Sequence, residues 1–153
     1  MIRVISWWLI KLLIRLQFPD VRQLSTAELA IWRSQDKKSQ PIVLDARTPE
    51  EYRVSHLADA RLVPHSLDEL DRENINYETP IVVYCSVGYR SSRVARCLQS
   101  LGYKNVFNLS GSIFEWVNEN RPVYHQGKPA IEVHPYNKFW QHLLVERVNI
   151  AKS

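Results

Sequence analysis

The chain has 153 residues and a mass of 18.0 kDa, the size of one ordinary domain with a little to spare. Hydrophobic residues make up 45% and charged residues 24%, a globular balance that argues against wholesale disorder and fibrous repeats. Two cysteines, Cys85 and Cys97, leave no basis for a disulfide-stapled scaffold or a structural zinc site, and a formal net charge of +4 does not demand a nucleic-acid partner.

Residues 2–18 are strongly apolar, but Arg3, Lys11 and Arg15 interrupt them and no uncharged stretch is longer than Val4 to Ile10. That is a poor transmembrane span, and no small-residue cleavage site follows it. The segment predicts a helix ended by Pro19, with Arg3, Trp7, Lys11 and Arg15 on one stripe. Two readings stay open: the helix lies in a membrane interface, or it packs on the domain or a partner. Val21 to Leu24 reads as a short strand. Ser25-Thr26-Ala27-Glu28 is a capping box that starts a helix running to about Arg33. Pro41 closes a polar loop before Ile42-Val43-Leu44-Asp45, an apolar run typical of a buried parallel strand. Thr48-Pro49-Glu50-Glu51 starts the next helix with a cap, a proline at the first position and acids in the first turn.

Arg61-Leu62-Val63 is a further short strand, and Ser66 to Glu73 a helical turn or two. Ile81-Val82-Val83-Tyr84 is the strongest strand of the chain. Ser91 to Leu101 reads as a helix with Val94, Leu98 and Leu101 inward and Gly102 at its left-handed end. Val106 to Leu109 is a strand, and a helix bearing Ile113, Phe114 and Trp116 follows. Pro135 opens a last amphipathic helix whose apolar face is Phe139, Trp140, Leu143, Leu144 and Val148. The alternation of strand and helix predicts an α/β domain with a mainly parallel sheet, whose ligands bind outside the carboxyl ends of the strands. Three parts are expected: an apolar, basic helix over 1–19, the α/β domain over 20–124 and an extension over 125–153.

Cys85 stands at the carboxyl end of the strongest strand and begins the loop Cys85-Ser86-Val87-Gly88-Tyr89-Arg90. Backbone N–H groups of such a loop can converge into an anion-binding nest, and the following helix adds its free N–H groups. Gly88 permits the positive φ that the curl needs. Residues 79–114 contain Arg90, Arg93, Arg96 and Lys104 and no acid. A thiolate is the reactive form of cysteine, and nearby cations favour it. Cys85 therefore reads as a reactive cysteine and Cys97, within the helix, as a packed one. The acid-free window suggests a small anionic partner.

These segments resemble the rhodanese family of sulfurtransferases, from about Val21 to Tyr124. The resemblance rests on Leu44 to Tyr52 with Ser55-His56-Leu57 behind it, on Val82 to Ser92, and on Val106 to Gly111 with Trp116. It implies a five-stranded parallel sheet flanked by helices on both faces, here with extra amphipathic helices at both ends. Cys85 is then the catalytic nucleophile of a double displacement through a cysteine persulfide. Six residues from cysteine to arginine match the sulfurtransferases, where phosphatases of the same fold have seven. Backbone amides of Ser86, Val87, Gly88, Tyr89 and Ser91 would hold the persulfide charge. Arg90 would neutralise charge or orient the loop, and Asp45 and Arg47 would brace it from behind. Family glycines are replaced at Ser55, Asp59 and Ser112. His56 reads as structural. His65, His125, His134 and His142 show no metal spacing, so neither metal nor cofactor is expected. The expected partners are a sulfur donor and a thiol or protein acceptor, in the cytoplasm, with membrane-surface contact through residues 1–18 as one of the two readings of that helix. A sulfur-carrying or regulatory binding module is the alternative function.

Overall fold

Ile81–Tyr84 (β4) is buried at every position, and the computed structural model, which describes residues 1–152, puts it in the middle of the sheet. Five parallel strands stand in the order β1 (Arg22–Leu24), β5 (Val106–Leu109), β4, β2 (Ile42–Asp45), β3 (Arg61–Leu62). Because side chains alternate along a strand, β4 feeds two separate cores. Val82 and Tyr84 join one with Leu29, Ile113 and Phe114, while Ile81 and Val83 join the other with Ala95, Leu98 and Leu70. Helices therefore cover both faces. Leu29 comes from α2 (Thr26–Arg33), and Ile113 and Phe114 come from α6 (Ser112–Asn118). On the other face, Leu70 comes from α4 (Asp68–Arg72), and Ala95 and Leu98 come from α5 (Tyr89–Ser100).

Both expected capping boxes form. Ser25 accepts from the Glu28 N–H at the start of α2, and Thr48 from the Glu51 N–H at the start of α3 (Pro49–Val54). The helix after Cys85 starts at Tyr89, two residues earlier than the sequence suggests, because Gly88 (φ 115°) supplies the turn directly before it. Leu101, expected inward, is exposed, and Ala95 takes the buried position.

The N-terminal helix forms as α1 (Ile2–Gln17) and packs on the domain through Ile14 and, just past its end, Phe18. Its expected basic stripe is split. Lys11 turns inward onto Glu115 (2.7 Å) beside the half-buried Trp7, while Arg3 and Arg15 stay in solvent. Among the described residues no helix is long and apolar enough to cross a membrane.

The expected C-terminal amphipathic helix is absent. In its place are a hairpin of β6 (Val123–His125) and β7 (Lys128–Ala130), a 3₁₀ turn over Trp140–Leu143, and a parallel pair of β8 (Glu132–Val133) and β9 (Asn149–Ile150). The cause lies at the end of α6. The Asn118 side chain donates to the Leu143 carbonyl (2.8 Å) and accepts from the Val145 N–H (2.9 Å), taking groups a helix would pair internally. Leu143 and Leu144 are buried, while Phe139, expected on the same apolar face, is exposed.

Candidate active site

Cys85 follows the last residue of β4 and is 1% exposed. Its Sγ accepts from the Gly88 N–H at 3.1 Å, so the six-residue loop curls back onto its own sulfur. A Cβ at Gly88 would meet the Asn108 amide at 3.2 Å in an already left-handed backbone, so the curl needs glycine there. The first turn of α6 anchors the loop from below. The Cys85 N–H donates to Ser112 Oγ (3.1 Å), and the Ile113 and Phe114 N–H groups donate to the Cys85 and Ser86 carbonyls.

Arg90 does not project freely toward the sulfur. Its two terminal nitrogens donate to the two oxygens of Glu51 (2.8 and 2.9 Å), and one also donates to Ser86 Oγ (3.0 Å). Ser86 in turn donates to Glu51 (3.1 Å). Burial pushes the Glu51 carboxyl up, but the Arg90 hydrogen bonds, the Thr48 N–H and the charges of Arg90 and Arg47 outweigh it and hold its pKa at about 2. Burial alone would lower the Arg90 guanidinium; the Glu51 bonds, then the Cys85 sulfur, raise it above its ordinary value. The acid-free window thus receives a carboxylate from α3, which the linear charge count missed.

Asp45 and Arg47 form a fully buried pair at 2.7 Å, with Arg47 also donating to the Ser55 carbonyl. They reach the loop through Tyr84, whose hydroxyl donates to Asp45 and accepts from the Leu57 N–H. Burial, with Asp45 beside it, pushes the Tyr84 phenol well above its ordinary pKa, so it stays a donor. Ser91 Oγ sits 3.4 Å from Sγ and 2.6 Å from Asn108 Oδ1, and Asn108 Nδ2 reaches Gln23 Oε1 at 2.7 Å. Tyr89 is half out of the site, its hydroxyl accepting from Gln17 of α1. Val87 is buried, while Cys97 is exposed on α5, contrary to the packed position expected of it: it falls on the solvent side with Arg93 and Arg96. His56 stacks on Tyr52 (4.0 Å) with Nδ1 at the Tyr52 carbonyl.

Asp59 (φ 54°) and Ser112 (φ 49°) keep the left-handed backbone that glycine would favour, whereas Ser55 is extended. Glu51, Ser112, Asn108 and Gln23 are site residues that the sequence reading passed over. The Thr48–Glu51 capping spacing was a visible signal for Glu51, read there as a helix start only. Among the described residues no group of three His, Cys, Asp or Glu side chains is placed to hold a metal ion.

The profile of the rhodanese-like domain matches residues 26–119. The chain is 32% identical over 82 residues to a sulfurtransferase of Allochromatium vinosum, covering 54% of this chain and 77% of that protein. It is 31% identical over 88 residues to an adenylyltransferase and sulfurtransferase of Ogataea parapolymorpha, covering 55% of this chain and only 23% of that one. A solved rhodanese-related protein of Thermoplasma volcanium superposes with a TM-score of 0.56 at 26% identity, over 67% of this chain and 97% of that chain.

Proposed function

The chain belongs to the rhodanese-like family, and on that footing we propose that it transfers sulfane sulfur through a persulfide on Cys85. The observation that carries the reading is the Cys85 sulfur at the carboxyl end of the central strand, inside a six-residue loop whose Gly88 N–H points at it. The Cys85 thiolate attacks the outer sulfur of a donor such as thiosulfate or a persulfide. The new S–S bond forms as the donor's S–S bond breaks, and the leaving group, sulfite or a thiolate, carries away the electron pair. An acceptor thiolate then takes the outer sulfur and returns Cys85. Gly88 N–H stabilises charge on the inner sulfur, and the Glu51–Arg90–Ser86 cluster holds the loop in register. Asp45 and Arg47 fix Tyr84, the residue before the nucleophile.

Intact-mass measurement after incubation with thiosulfate or with a persulfide tests this. A gain of about 32 Da, one sulfur atom, is expected on Cys85. Cys85→Ser loses it and Cys97→Ser keeps it; sulfur transfer at full rate by Cys85→Ser would overturn the reading. Delivery to a protein partner is the competing role. The 1% exposure of Cys85 supports a small acceptor, because a thiol on a folded partner has little room to reach it. Stoichiometric loading with transfer to a protein and none to small thiols would reverse that choice.

For α1 we propose contact with an anionic membrane surface. The support is its outward face, where Ile5, Trp8, Leu9 and Leu16 are exposed along the helix that carries exposed Arg3 and Arg15.

A further inference from the structure

The approach to Cys85 is roofed by segments from both ends of the chain. Ile10, Leu13 and Ile14 of α1 face Tyr136 and Trp140 of the C-terminal extension across a cleft of about 390 Å³, with Cys85, Ser86 and Val87 at its floor. That volume falls in the range of roughly 300–1,000 Å³ typical of sites for organic ligands, and a small inorganic dianion fills little of it. Gln17 anchors the roof to Tyr89, and Phe18 meets the Tyr89 ring edge-on at 5.5 Å.

The charge in the cleft is already spent. Arg90 is the one charged residue among those lining it. Both of its terminal nitrogens are engaged by Glu51, and its guanidinium lies 4.5 Å from the centre of the Tyr136 ring. A dianion entering here would meet an ion pair of no net charge and apolar walls, and would lose its hydration without an unpaired cation in return.

We infer that the substrate whose sulfur enters or leaves at Cys85 is a hydrophobic organic hydropersulfide, its S–SH end at the Cys85 sulfur and its apolar body between α1 and the Tyr136–Trp140 turn. The inference rests on the sulfur-transfer reading and narrows its donor. In the step, the Cys85 thiolate attacks the terminal sulfur of R–S–S–H. The Cys85–sulfur bond forms, the R–S to sulfur bond breaks, the proton stays on the transferred sulfur, and R–S⁻ leaves with the electron pair.

The test uses the full chain and three probes: methyl, propyl and pentyl hydropersulfide, with thiosulfate alongside. The second-order rate of sulfur loading on Cys85 is read by intact mass. Each buried methylene is expected to raise the rate about fourfold, so pentyl, with four more methylenes, exceeds methyl by roughly 250-fold. Leu13→Asp, at a position already 54% exposed, is expected to flatten the dependence on chain length, and so is Tyr136→Ala. Loading of Cys85 at one rate by all three hydropersulfides, or faster from thiosulfate than from pentyl hydropersulfide, leaves sulfur transfer standing and overturns the apolar substrate. Absence of sulfur on Cys85 from every donor overturns the sulfur-transfer reading itself, and the inference with it.

Discussion

At the scale of single residues, Glu51 carries more than its place in the sequence suggests. One carboxylate caps α3 through the Thr48 N–H, pairs with Arg90 and receives Ser86. Its pKa of about 2 lies below the unfolded carboxylate range, so its contribution, on the order of 3 kcal/mol, is complete above about pH 4.5 and fades as pH falls toward 2. Glu51→Gln is expected to lower stability at pH 7 by roughly 3 kcal/mol, since it leaves a part-buried guanidinium without its counter-charge. Urea unfolding of both proteins should show the gap narrowing as the pH drops from 6 to 3; a gap independent of pH would count against the ion pair. Tyr84→Phe removes the hydroxyl that serves Asp45 and Leu57 and should cost about 1–3 kcal/mol, read in the same unfolding assay. Cys85, Gly88 and Arg90 were legible because loop chemistry follows from local sequence. The pairings of Glu51 with Arg90, Asn108 with Ser91 and Gln23 with Asn108 were not, because the partners lie 39, 17 and 85 positions apart and meet only in the folded domain.

At the scale of elements, the strands and the two capping boxes could be read ahead, since β-strand runs and caps are decided by neighbours in sequence. The C-terminal extension could not. Its apolar spacing fits a helix, but the Asn118 side chain and the β8–β9 pairing claim its backbone groups first. The N-terminal helix resolved differently, because both of its readings have a face to use. Ile14 and Phe18 are 4% and 1% exposed against the core, while Trp8 and Leu16 face outward at 65% and 69%. Phe18→Ala is therefore expected to destabilise by about 3–5 kcal/mol by thermal or urea unfolding, as a core truncation would. For the outward face, co-sedimentation of the full chain with vesicles of phosphatidylserine and phosphatidylcholine is the measurement. Binding should fall with added salt and with Trp8→Glu. Equal recovery in the supernatant with and without vesicles would end the membrane proposal.

At the scale of the whole molecule, the +4 total conceals a set of ion pairs: Lys11 with Glu115, Arg47 with Asp45, Arg90 with Glu51. Two of these pairs bring together cations and carboxylates that lie far apart in the chain, which is why counting charge by window predicted a stronger local field than the site possesses. The two thiols are likewise unequal in a way their sequence positions did not reveal: Cys85 lies under the roof of the cleft and Cys97 on the open side of α5. One consequence concerns what air does to a purified sample. Two molecules cannot bring their Cys85 sulfurs within bonding distance through the apolar roof, so covalent dimers formed on storage must run through Cys97. A non-reducing gel of aged protein should show a dimer band that Cys97→Ser abolishes and Cys85→Ser retains. The exposed thiol is thus the expected source of cross-linked material, while the sheltered one is open only to molecules small enough to pass beneath α1.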